Sequence, residues 1–243
     1  MTDTPTDSTP GLVARAIGVI LSPGETFRAV VAKPRPVGIL FVVCLLLAVA
    51  TVTPMLTDAG QRAMIDTQVE QMERFTGQPV SAEQYEQMRQ GMATTGPIFG
   101  TISIFIFVPV ITLLMSALFW ALFNVAFGGT ATFGQVLAVM AHAQVIGALG
   151  ALLGLPIQLM SGTFSQAGPF NLGPLAVGLA ADHPLALLLG GLSVFSLWQA
   201  VVTGIGLATL YQKRPGGIIT IVVLISIVIT ALFTIGPSML IGR

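Results

Sequence analysis

Long apolar runs separated by short polar clusters set the pattern of this chain. A membrane-spanning helix needs about 20 mostly apolar residues, and five stretches meet that test: Val37 to Leu56, Pro97 to Phe127, Phe133 to Leu155, Leu185 to Tyr211 and Gly217 to Ser238. At about 1.5 Å per residue the second overshoots a hydrocarbon core of about 30 Å. It must tilt or emerge from lipid, and Pro109 offers a kink within it.

Between these runs the periodicity becomes amphipathic. In GLVARAIGVILSPGETFRAVVAKPRP, two short helices are expected, with Ser22, Pro23 and Glu25 as N-cap, first-turn proline and capping-box acid. The first of them either lies at the membrane interface with Arg15 towards headgroups or packs on the bundle. In the polar stretch from Thr57 to Gly96, Ile65, Val69 and Met72 recur at helical spacing. Ser81 with Gln84 has the capping-box spacing, and Tyr85, Met88 and Met92 form a second stripe. Two helices joined at Gly77, Gln78 and Pro79 follow from this. The fold class is therefore an all-α integral membrane protein: a segment 1–36 with short interfacial helices, then a five-helix membrane domain 37–243 that includes a helical hairpin at 57–96.

Composition sharpens the picture. Hydrophobic residues make up 54% of the 243 and charged ones only 8%, against about a quarter charged in a soluble domain. From Gln90 to Ala181 there is no Asp, Glu, Lys or Arg. The formal net charge is zero, and without a concentrated basic face nucleic acid is not an expected partner. The single cysteine, Cys44, sits in an apolar run and reads as a packing residue. The N-terminus MTDTPTDSTPG lacks the basic start of a cleaved signal peptide.

Orientation follows from Lys and Arg on alternating sides. A cytoplasmic N-terminus places Arg15, Arg28, Lys33, Arg35, Lys213 and Arg214 inside and Arg62, Arg74, Arg89 and Arg243 outside. The pairs nearest the membrane, Lys33 with Arg35 and Lys213 with Arg214, are all on the inner side. The C-terminus is then extracytoplasmic and the location a cell (inner) membrane. No internal repeat suggests a duplicated transporter.

Candidate chemistry lies in the polar residues of the apolar runs. Thr132 with Gln135 reads as a capping box opening the third span, with His142 and Gln144 near its middle. Gly147, Gly150 and Gly154 give that helix a small-residue face, the last two in the G-x-x-x-G relation that permits close helix approach. The fourth span carries Ser196, Gln199 and Thr203 on one face. The third and fourth spans run antiparallel, so His142 and Gln199 fall at similar depth. An ionisable group at such depth is a functional hypothesis by default. One histidine is not a relay, however, and no acid or base in any span accompanies it. The reading carried forward is a neutral imidazole bonded between helices, with Gln199 as partner and Asn124 or Ser196 as alternatives; the competing reading is a proton-binding group in a transport path. Paired acids, an activated nucleophile or a metal cluster are not visible, so neither enzymatic activity nor a cofactor is expected.

Taken in order, LSPGETF before the first span, TATFGQVLAVMAHAQV after a Gly-Gly turn, FNLGPLA, SLWQAVVTGIGLA and a last apolar span after a basic loop resemble the bacterial branch of the Yip-domain (Ypt-interacting protein) family. The resemblance runs from about Leu21 onward and implies five spans with a cytoplasmic N-terminus. Eukaryotic members are associated with Rab-type GTPases and transport between endoplasmic reticulum and Golgi. Those roles do not carry over: the pre-membrane Asp-Leu-Tyr-Gly-Pro is replaced by LSPGETF, and the family's Gly-Tyr in the third span corresponds to Ala141 and His142. The expected function is a non-enzymatic membrane-organising or protein-interaction scaffold. Its partners would be membrane lipids, other membrane proteins or a second copy. The alternative is a transporter or channel for a small solute or lipid, using a polar cluster of His142, Gln144, Asn124, Ser196, Gln199 and Thr203. A filled bundle favours the first and a cavity at that cluster the second.

Overall fold

The computed structural model describes residues 10–162, 168–180 and 182–236. Its helices are α1 (Leu12–Leu21), α2 (Pro23–Ala32), α3 (Pro36–Met55), α4 (Asp58–Thr76), α5 (Ala82–Thr94), α6 (Gly96–Ala121), α7 (Phe133–Ser161), α8 (Pro184–Gly191), α9 (Val194–Tyr211) and α10 (Pro215–Thr234). Five of these, α3, α6, α7, α9 and α10, are long and apolar enough to cross a membrane. No hydropathy profile reveals which is central. The structure assigns that place to α7, of whose most apolar window 61% is buried inside the protein, against 11% for α10. On one side α7 packs against α3 and α6, on the other against α9, and α10 packs in turn on α9. The two outer helices, α6 and α10, make at most marginal contact with each other.

Two span boundaries depart clearly from the hydropathy reading. The third span does not stop at Leu155 but continues through Pro156 to Ser161, ending at Gly162 in the left-handed region at φ 67°. Internal prolines are tolerated where neighbouring groups satisfy the freed carbonyl. The fourth is not continuous from Leu185. α8 ends at Gly191, Leu192 and Ser193 are extended, and α9 starts at Val194. The two extended residues stay satisfied because they pair with a second strand-like segment: Leu172 N donates to Leu192 O at 2.9 Å and Val194 N to Phe170 O at 3.1 Å. An apolar sequence hides such a break, because Leu192 and Val194 are as hydrophobic as any helical neighbour. The last span runs from Pro215 to Thr234, and Ser238 lies outside the described residues.

At the N-terminal side, α2 packs on α9 and α7, and α1 on α7 and α2. Val19, Phe27 and Val30 are fully buried there, while Leu12, Val13, Ile17 and Leu21 stay exposed on the other face of α1. Arg15 does not reach outward to headgroups. It is buried, with Nε donating to Pro10 O at 3.0 Å and Nη1 to Lys33 O at 3.4 Å, so one guanidinium ties the start of α1 to the end of α2. Carbonyls at the end of a helix lack an intrahelical partner, and a buried cation needs such oxygens. The capping box expected at Ser22 does not form: its side chain makes no cap bond, and Thr26 Oγ1 donates to Ser22 O at 3.0 Å instead.

The boxes at Ser81 with Gln84 and at Thr132 with Gln135 are both present. α4 and α5 pack on each other, and α4 is tied to the end of α3 by Gln61 Nε2 donating to Met55 O at 2.8 Å. Gly150 and Gly154 lie under side chains, Phe195 and Pro169 respectively, rather than at a backbone crossing. A backbone-to-backbone approach of two spans is found elsewhere: a Cβ on Gly204 of α9 would stand 2.6 Å from Cα of Ile219 on α10.

Candidate functional site

Because α6 and α10 pack on different neighbours, the bundle leaves a half-open chamber of about 1120 Å³ along α7. Each wall is one face of a helix. α7 supplies Met140, Gln144, Gly147, Ala148 and Ala151; α9 supplies Ser196, Gln199, Ala200 and Thr203; α10 supplies Val222, Ser226, Ile229 and Thr230. α6 adds Thr112 and Met115, α3 adds Leu47 and Thr51, and the end is covered by Met64, Thr67, Gln68 and Gln71 of α4. Among the described residues lining it there is no Asp, Glu, Lys, Arg or His.

Most hydroxyls of the chamber have already spent their proton. Thr112 Oγ1 donates to Val108 O at 2.6 Å, Thr203 Oγ1 to Gln199 O at 2.8 Å, Ser226 Oγ to Val222 O and Thr230 Oγ1 to Ser226 O, both at 2.9 Å. This bonding to the carbonyl four residues back is the usual resort of Ser and Thr within a helix, and it leaves them as acceptors. Gln144 Nε2 donates to Thr112 Oγ1, bracing α7 against α6. The carboxamide of Gln199 has no hydrogen-bond partner among the described residues. It lies over Gly147, where a Cβ would collide with Oε1. Gln199 thus presents free donors and a free acceptor to the chamber wall.

Of the residues singled out in sequence, the structure brings Gln144, Ser196, Gln199 and Thr203 together around one space, with Gly147 and Gly150 on its floor and Gly154 just beyond. It does not bring His142 or Asn124 there. His142 is buried on another face of α7, and its Nδ1 lies 2.7 Å from the carbonyl of Ala138 on the same helix. A carbonyl only accepts, so Nδ1 carries the proton and the ring is held within its own helix. The interhelical bond to Gln199 is not made. Asn124 falls in a five-residue π turn, Leu122–Ala126, and its Nδ2 donates to Ala131 O at 2.8 Å, closing the turn into α7 alongside Trp120 Nε1 at 3.0 Å. Ser196 has a second duty as the N3 residue of the box that starts α9.

Sequence reasoning passed over the chamber residues of α10 and α6. Ser226, Thr230 and Thr234 recur every four residues along the most apolar span. That spacing makes a polar stripe on a helix otherwise suited to lipid, and it was a legible signal. A second, smaller cavity of about 640 Å³ lies at the opposite end from α4, between the turn at Gly128 and Gly129 and the loop at Gln212 to Arg214. Asn124 Oδ1 and Tyr211 Oη are buried beside it without a partner. Among the described residues no cluster of His, Cys, Asp or Glu is suited to a metal ion.

Five apolar helices around a mainly apolar chamber that carries a few uncharged polar groups define a polytopic helical membrane protein. The Yip1 domain family matches residues 17–236, nearly the whole chain, and the chain belongs to that family. It is similar to the membrane protein YknW of Bacillus subtilis (strain 168), 28% identical over 225 residues that cover 89% of this chain and 88% of the relative. No solved structure matches the chain.

Proposed function

We propose that this protein is a non-enzymatic membrane protein that organises the cytoplasmic membrane by holding a lipid-like guest in the chamber between α6, α7, α9 and α10. The observation that carries the reading is the chamber itself. A filled bundle would serve a scaffold as well, whereas a space of about 1120 Å³ lies just above the usual range of ligand pockets, about 300 to 1,000 Å³. Its mainly apolar lining, set with a few uncharged polar groups, suits a chain-like amphiphile. The gap between α6 and α10 offers it a lateral way in from the bilayer.

On the Lys and Arg distribution, the N-terminus is cytoplasmic, α4 and α5 are extracytoplasmic, and the chamber lies in the outer half of the membrane beneath them. This is the lipid form of the transporter alternative. The protein-interaction scaffold stands as the second reading, supported by the placement of His142 away from the chamber, which supplies no proton-coupled step.

The test is lipid retention. Protein purified in mild detergent is extracted with solvent and its lipid measured by mass spectrometry, for the parent and for Ala151→Trp and Thr230→Trp, which fill the chamber from opposite walls. About one lipid per chain in the parent, and at least about tenfold less in variants that unfold at the same temperature, is the expected result; tenfold corresponds to about 1.4 kcal/mol of binding. Retention unchanged by either tryptophan would return the scaffold reading to first place.

A further inference from the structure

The chamber's chemistry is selective beyond being greasy. Resting on the reading that it holds a lipid-like guest, we infer that the chamber takes uncharged lipids whose head carries hydroxyl and carbonyl oxygens, diacylglycerol being the simplest, and rejects lipids with an anionic phosphate.

The argument has two halves. The first is the charge inventory. No cation lines the chamber among the described residues, and the sequence from Gln90 to Ala181 contributes none. An anion moved from the headgroup region into that space loses its hydration and finds no counter-charge, and an unpaired buried charge is strongly disfavoured. Lys213 and Arg214 line the separate cavity at the other end.

The second half is the supply of donors and acceptors. With their protons committed to carbonyls of their own helices, Thr203, Ser226 and Thr230 offer lone pairs only. They suit a ligand hydroxyl that donates. Gln199, unpartnered above Gly147, suits a ligand carbonyl that accepts from Nε2. A head bearing both a hydroxyl and an ester carbonyl satisfies both walls of the chamber, α9 and α10, at once. Buried polar groups left unpaired are costly and discriminate strongly against ligands that do not match them. A plain hydrocarbon leaves Gln199 unsatisfied, and a phosphate brings a charge that nothing neutralises.

The experiment uses the full chain in phosphatidylcholine nanodiscs containing a small fraction of one photoactivatable lipid with a diazirine on its acyl chain: diacylglycerol, phosphatidylglycerol or phosphatidic acid. Crosslinks are mapped by peptide, so that labelling of the chamber walls on α7, α9 and α10 is separated from labelling near Lys213 and Arg214. Diacylglycerol should label the chamber at least about tenfold more than either anionic lipid. Gln199→Leu, checked for an unchanged melting temperature, should lower diacylglycerol labelling about five- to tenfold, the worth of one hydrogen bond. Thr230→Trp should abolish it. Equal chamber labelling by phosphatidylglycerol and diacylglycerol would overturn the selectivity while leaving an occupied chamber. Full labelling of Gln199→Leu would overturn the role of its carboxamide. Chamber labelling by none of the three lipids would remove both this inference and the function on which it rests.

Discussion

Gly147 on α7 lies directly beneath the carboxamide of Gln199 on α9, so closely that a Cβ at position 147 would meet Oε1. The absence of a side chain at one position is what lets the amide of the other lie at the chamber floor without a protein partner. Gly147→Val should displace the Gln199 carboxamide into the chamber. Because Gln199 has a long side chain that can swing aside, the expected effect on the unfolding temperature is small, while co-purified lipid falls several-fold. A large loss of stability with lipid retention intact would show that the contact serves packing alone.

The crossing of α9 and α10 offers no such escape. A Cβ on Gly204 would stand 2.6 Å from Cα of Ile219, and backbone does not yield as a side-chain tip does. Gly204→Leu is expected to cost at least about 1 to 3 kcal/mol, the range for overpacking, measured by thermal unfolding in detergent. At Gly216, where nothing lies within 4 Å, Gly216→Ala should leave stability within about 1 kcal/mol. Equal effects at the two positions would contradict the described crossing.

Arg15 should behave as a structural clamp. Arg15→Met keeps much of the apolar stem but removes the bonds to Pro10 O and Lys33 O. Hydrogen bonds to charged groups are worth about 1.5 to 3 kcal/mol, so a loss of that size is expected, together with faster proteolysis at the 33–35 segment. An unchanged cleavage rate would mean that the clamp does not hold α1 and α2 together.

For His142 the structure reverses the consequence of the sequence reading. With Nδ1 bonded to Ala138 O of its own helix, replacing the ring by an apolar group of similar volume strands no partner on another helix. His142→Leu should therefore cost less than about 1.5 kcal/mol, whereas His142→Ala opens a hole and should cost about 2 kcal/mol or more. Denaturation in mixed micelles measures both. A larger penalty for Leu than for Ala would restore the interhelical bond.

On α5, Arg89 donates to both oxygens of Glu86 at 2.8 and 2.6 Å. This pairing, helped by Gln90, lowers the Glu86 carboxyl from 4.5 to about 2. A carboxyl whose folded value is depressed contributes stability above its unfolded value and loses it as the pH falls towards the folded one. The window here is about pH 4.5 down to 2. Both side chains are well exposed, so the contribution is small, and the carboxyl itself is the better readout. Its carbon resonance in the full chain should titrate near 2 and move up towards 4.5 in Arg89→Gln. A midpoint already at 4.5 in the parent would show that the pair is not formed.

The number of spans, the central place of polar residues in the third and fourth, and the caps at Ser81 and Thr132 were all legible in the linear sequence. They are local properties. Burial of about 20 apolar residues in lipid needs no partner to be favourable, and a capping side chain reaches only three residues along its own chain. The break at Leu192 and Ser193, by contrast, depends on Leu172 and Phe170, which pair with that segment from about 20 residues away. Where Arg15 goes depends on the carbonyl of Lys33. His142 and Gln199 share a depth, yet depth alone does not fix the rotation of a helix about its axis, and that rotation turns Gln144 towards the chamber and His142 away from it. The chamber itself is a property of helix arrangement: it exists because α6 and α10 pack on different neighbours and leave the face of α7 between them uncovered. The hydropathy of each span fixed its existence and its need for lipid, whereas the distance between spans was decided only where small residues such as Gly204 let backbones meet and larger side chains held them apart.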